Sequence, residues 1–155
     1  MRFLNSELLS DWLRHGAIIS NVDLSKDFYH ILSDLPWLAG HLDFNKFNRL
    51  SISLSNLLND EGDICFEKIY CWLSGHEIIK AKYIAFWYSE DRPCIICDKD
   101  FGLVNIDSAY WGVPGWNYMF GCVIVNGVIT ANYNEILCYD SANTLALVRN
   151  VSHKE

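Results

Sequence analysis

Between Lys99 and Arg149 the sequence contains no lysine or arginine, while Asp100, Asp107, Glu135 and Asp140 remain. Across all 155 residues, 12 basic side chains face 19 acidic ones, a formal charge of −7. So acidic a chain lacks the cationic surface that nucleic acid or an anionic membrane requires, and it favours cationic partners. No apolar run approaches the roughly 18 residues of a membrane-spanning helix. Met1-Arg2-Phe3-Leu4 leads straight into the polar Asn5-Ser6-Glu7, so no secretory segment is expected. Without export, the six cysteines read as free thiols and the expected location is cytoplasmic. No glycine-rich phosphate loop and no GxSxG stretch is present, which removes the commonest phosphate-binding and serine-hydrolase signatures.

Apolar and aromatic residues, by contrast, are plentiful. Hydrophobic residues make up 51% of the chain and charged residues only 20%, enough for a sizeable core in one domain spanning 1–155. Within Cys122–Thr130, two apolar runs flank Asn126-Gly127, the dipeptide best suited to the φ > 0 positions of a type I′ turn. A two-residue turn there pairs Val125 with Val128, Ile124 with Ile129 and Val123 with Thr130. Both faces of that hairpin are mostly apolar, which predicts a sheet covered on two sides.

Along the chain, Ser6–Arg14 has a capping serine and an apolar stripe at helical spacing, and Gly16 suits its end. A second helix is expected from Asp23 or Ser25, with Phe28, Ile31, Leu32 and Leu35 inward, and Pro36 stops it. Alternating serines favour a strand over Arg49–Ser55, and a helix is expected from about Ile64 to Leu73. Glu77–Tyr88 alternates like a strand, with a helix as its rival; Cys94–Asp98 and Leu103–Ile106 also read as extended. Residues 107–117 read as a loop, Ile136–Tyr139 as the last strand, and Asp140 or Ser141 as the cap of a short helix through Leu147. Helices thus gather early and strands late. The expected class is α+β, with N-terminal helices packed on one face of a curved, mainly antiparallel C-terminal sheet.

Few residues suggest chemistry. Cys94-Ile95-Ile96-Cys97 has the spacing of a zinc or redox pair, but in a strand positions i and i+3 face opposite ways, so core thiols are expected. His76-Glu77 starts like a zinc-protease helix, yet Lys80 stands where the second histidine is required. Asp27 and His30 lie one helical turn apart and read as a surface pair. No catalytic residue, metal site or cofactor is expected from these.

Tyr110-Trp111-Gly112-Val113-Pro114-Gly115-Trp116-Asn117-Tyr118 is more informative, because rings in a shaped loop suit a contact site. Asp98, Asp100 and Asp107 would give those rings an anionic rim. An acidic, aromatic-rich domain of this kind resembles the small immunity proteins with which bacteria neutralise toxins. The resemblance is one of general character across the whole chain and rests on no diagnostic motif. It implies tight one-to-one binding to a cognate, basic, nuclease-type toxin. Tyr110, Trp111, Trp116 and Tyr118 would then be the anchors, and Asp98, Asp100 and Asp107 the charge. The alternative is a small-molecule-binding or enzymatic domain with an apolar pocket under residues 110–118, using Asp107 or His76 as acid or base.

Overall fold

The computed structural model describes residues 6–38, 41–43, 46, 49–112, 118–141 and 143–149. Its centre is a curved, unclosed antiparallel sheet of seven strands in the order β1-β6-β5-β7-β8-β9-β4. The strands are β1 (Ile18–Ile19), β4 (Arg49–Ser53), β5 (Tyr83–Trp87), β6 (Ile95–Asp98), β7 (Tyr118–Val125), β8 (Val128–Ser141) and β9 (Thr144–Arg149); β2 (Trp37–Leu38) and β3 (His41–Leu42) form a separate ribbon. The helices are α1 (Ser6–Arg14), α2 (Val22–Ser33), α3 (Phe66–Trp72), α4 (Glu77–Lys80), α5 (Lys99–Val104) and α6 (Ile106–Gly112). The α+β class and the antiparallel sheet are therefore those expected from the sequence.

The β7–β8 hairpin has the expected register, Val125 opposite Val128, Ile124 opposite Ile129 and Val123 opposite Thr130. Asn126 and Gly127 turn the chain with φ of 53° and 78°, the left-handed region that this dipeptide tolerates. Register shifts between Met119 and Gly121, and between Tyr139 and Ser141, mark irregularities of the kind that bend strands. The base of the hairpin lies inside the protein, but Val123, Val125 and Val128 at its tip are exposed.

Both faces of the sheet are covered, as the apolar strands require. On one, Ile84, Phe86, Ile95, Met119, Leu137, Leu145 and Leu147 pack with Trp12 of α1, Ile69 of α3, Ile78 of α4, Leu103 of α5 and Ile106 of α6. On the other, Ala85, Trp87, Ile96, Phe120, Ile136, Cys138 and Val148 lie under Leu24, Phe28 and Leu32 of α2. The helices thus occupy both faces, with α2 alone among the described helices on the second. Cys94 and Cys97 belong to opposite cores, so the thiols diverge as their strand spacing predicts.

Three segments differ from expectation. Leu103–Ile106, read as extended, falls in α5 and α6, and α6 takes over the first part of the expected loop 107–117; residues 113–117 lie outside the described residues. The cause is local: the Asp98 carboxylate accepts the Asp100 N–H at 3.1 Å and caps α5, and Gly102 lets that helix press on Ile84, Cys97 and Phe86. The expected closing helix after Asp140 is strand β9, because Leu145 and Leu147 serve one core while Ala146 and Val148 serve the other. Glu77–Tyr88 is divided, with α4 first and β5 after Lys82.

Candidate functional site

The sequence-predicted contact residues do not all share one surface. Tyr110 on α6 is half-buried and stacks on Tyr139 at 3.9 Å, on the face covered by α5 and α6. Tyr118 opens β7 on the opposite face, edge-on to Trp87 at 5.9 Å and beside Phe28. The sheet itself separates these two rings. Trp111 lies in α6, and Trp116 lies outside the described residues. Asp98 and Asp100 are exposed at the start of α5, where Asp98 is committed to the cap and Asp100 stands 4.0 Å from Lys99 Nζ. Asp107 is half-buried and accepts the Tyr139 hydroxyl at 2.9 Å, so it joins Tyr110 and Tyr139 in one cluster. Burial, then the Asp107 charge, pushes the Tyr139 phenol well above its ordinary value.

A more exposed aromatic surface lies on α2. Asn21 caps this helix by accepting the Leu24 N–H at 3.3 Å, and Leu24, Phe28 and Leu32 turn inward. Asp23, Lys26 and Asp27 of the helix and Asp34 at its C-cap are all exposed. Tyr29 is 41% exposed and Trp37, just past Pro36, is 42% exposed. The Trp37 indole N–H donates to the Leu32 carbonyl at 2.8 Å, which fixes the ring against the end of the helix. Tyr29, Leu32, Ser33, Trp37 and Trp87 line a groove of about 240 Å³. The Ser25 hydroxyl donates to the Arg92 carbonyl, bringing the segment that carries exposed Glu90 and Asp91 beside the same helix. The sequence had offered a signal: Tyr29 does not fit the inward stripe of α2, and Trp37 follows the proline that ends it.

A polar cluster lies on the other face, around Glu135 of β8. Its side chain is only 2% exposed. One carboxylate oxygen accepts the Ile78 N–H at 3.0 Å; the other lies 3.1 Å from both His76 Nδ1 and Arg149 Nη2. Beside it, Glu77 accepts from the Asn132 and Asn134 amides at 2.8 and 3.3 Å, which hold its carboxyl below the usual range. Of the two acid–base candidates raised by the sequence, His76 thus has a buried carboxylate partner, whereas Asp107 is engaged by a phenol.

Compared with protein-family models, curated proteins and solved structures, the chain matches none. Function must therefore be argued from these surfaces. Among the described residues no group of three or more His, Cys, Asp or Glu could hold a metal ion, and no described helix is long and apolar enough to cross a membrane. Cys94 and Cys122 are buried in the α2-side core, and burial pushes their thiols up to about 11 and about 12. They are poor nucleophiles in that state. The α2 surface can take up a cationic, partly apolar chain segment, and the Glu135 cluster can present fixed hydrogen-bond donors.

Proposed function

We propose that the chain is a protein-binding inhibitor of the immunity-protein kind, which neutralises a basic toxin by stoichiometric association in the cytoplasm. The observation that carries this reading is the exposure of two large rings on an acidic element: Tyr29 of α2 and Trp37 just past it stand about two-fifths exposed, and Asp23, Asp27 and Asp34 of the same stretch are also exposed. Trp and Tyr anchor interfaces because they contribute much area with few torsions to freeze. Exposed carboxylates on the same stretch attract a basic partner from a distance and repel anionic competitors. The groove beneath the rings gives a partner's side chain somewhere to enter, and Trp87 forms part of its lining. Asp98, Asp100 and Asp107 add negative charge elsewhere on the molecule.

The test is protection. The product of the reading frame next to this chain's gene is expressed in a sensitive host, where the reading expects it to arrest growth, alone, with the wild-type chain or with a Tyr29→Ala/Trp37→Ala variant. The wild type is expected to restore growth and the variant to fail while still folding, as judged by circular dichroism. Equal protection by both would remove α2 as the contact surface, and no protection by the wild type would remove the inhibitor reading.

A further inference from the structure

We propose that the cavity between α4, β4, β8 and β9 is a binding site for a small oxyanion, with Arg149 as its anchor and His76 beside it. The cavity measures about 170 Å³ and is lined by Arg49, Leu50, His76, Glu135, Leu147 and Arg149. It is below the roughly 300–1,000 Å³ of drug-sized sites, yet it exceeds the ~30 Å³ share of one water several-fold. That is room for a phosphate or carboxylate group and a short stem.

The arrangement of charge supports an anion at the mouth. Glu135 lies at the inner wall, 2% exposed, and each of its oxygens is held by at least one donor. Its negative charge is therefore already engaged by Ile78 N–H, His76 and Arg149. Arg149 is 47% exposed, so the cationic end of this pair faces the opening while the anionic end is inside. A guanidinium carries five N–H donors in a rigid fork, and the hydrogen bond to Glu135 engages only Nη2. His76 turns Nδ1 to Glu135, an arrangement that orients the ring and leaves Nε2 for another partner.

The remaining charged groups do not cancel this polarity. Arg49 lines the same cavity from β4, with Asp140 3.5 Å from its Nη1. On α4, the Glu77 carboxylate is held by Asn132 and Asn134 and lies within electrostatic reach of both Arg149 and the exposed Lys80, which offsets its charge. The two arginines thus balance Glu135 and Asp140 in formal charge, and in the Arg149–Glu135 pair it is the cation that is exposed, 47% against 2%. For a protein of net charge −7, saturable uptake of an anion would have to come from such a local site, because the overall field opposes it. Phosphate and carboxylate share the chemistry this fork recognises, and two titrations distinguish them.

The experiment is a titration of the intact, wild-type chain with inorganic phosphate and, separately, with acetate, at constant ionic strength set by chloride. It is followed by the NMR signals of the His76 ring and the arginine guanidinium groups. Saturable shifts confined to His76 and Arg149 are expected with at least one of the two ions, and the tighter one names the class. Loss of one charge-assisted contact in Arg149→Gln should weaken binding by about tenfold. Linear, non-saturating shifts, or saturable binding that Arg149→Gln leaves unchanged, would overturn the assignment. The wild-type titration does not depend on the variant folding.

Discussion

Gly102 shows how much the fold asks of a single position. It lies in α5 with an ordinary helical backbone, and the reason for glycine is space. A Cβ built there would collide with Ile84 Cγ2 and lie 2.9 Å from Cys97 Sγ, both on strands of the central sheet. Neither neighbour is the free end of a flexible chain, so α5 would have to lift from β5 and β6. Gly102→Ala should lower stability by about 1–3 kcal/mol despite its better helix propensity, as overpacking typically does. A urea midpoint equal to wild type would show that α5 is not so tightly seated. The same scale explains why His76 could not be interpreted from its local sequence. Its partner Glu135 is 59 residues away, and no local spacing joins a histidine before a four-residue helix to a glutamate inside a long strand.

At the scale of elements, α2 bears the greatest responsibility, since it alone among the described helices covers its face of the sheet. Phe28 is fully buried at the centre of that contact, with its ring 4.6 Å from Phe120 and 5.5 Å from Trp87. Truncating it to alanine should cost about 3–5 kcal/mol, measurable by urea unfolding, and a cost below about 1 kcal/mol would mean that α2 is only loosely attached. Elements with strong local signals were legible: α1 by period and by the serine at its start, α2 by period although its cap is Asn21 and not Asp23 or Ser25, and the β7–β8 hairpin down to its residue pairs. The missed elements lacked a period that a sequence can display. In α5 and α6, Leu103, Val104 and Ile106 resemble a strand, and six or seven residues are too few to establish a helical stripe. In β9, Leu145 to Val148 is apolar on both sides because both faces are buried, so the alternation that identifies a half-exposed strand is absent. The aromatic run at 110–118 was visible, but not that the sheet would part Tyr110 from Tyr118.

For the whole molecule, the buried thiols should make stability fall on the alkaline side. In the folded chain Cys94 is raised from an ordinary 9.0 to about 11, and Cys122 to about 12, by desolvation first. Raised values stabilise the fold fully while the unfolded thiols are still protonated, below pH 9. As the pH climbs from there through about 11 and 12, the unfolded chain ionises first and that contribution is lost. Each of these two thiols should remove roughly 1 kcal/mol by pH 10. The urea midpoint is therefore expected to drop between pH 7.5 and pH 10, and to drop less in a Cys122→Ala variant. An unchanged midpoint in the wild type would contradict this account of the core.

Charge and rings combine at the same whole-molecule scale. In the function proposed above, the acidic surface would steer a basic partner and Tyr29 and Trp37 would supply the contact area that holds it. The two effects separate kinetically: salt should slow association, and removal of the rings should hasten dissociation. The most direct measurement is the affinity of the isolated chain for the protein encoded by the neighbouring reading frame, the toxin under the proposed function, with and without Tyr29→Ala/Trp37→Ala, over a range of salt. The account predicts tight one-to-one binding whose association slows with salt, and a loss of at least about 2 kcal/mol, roughly 30-fold, in the double variant. Binding that is indifferent to both salt and the two rings would contradict it.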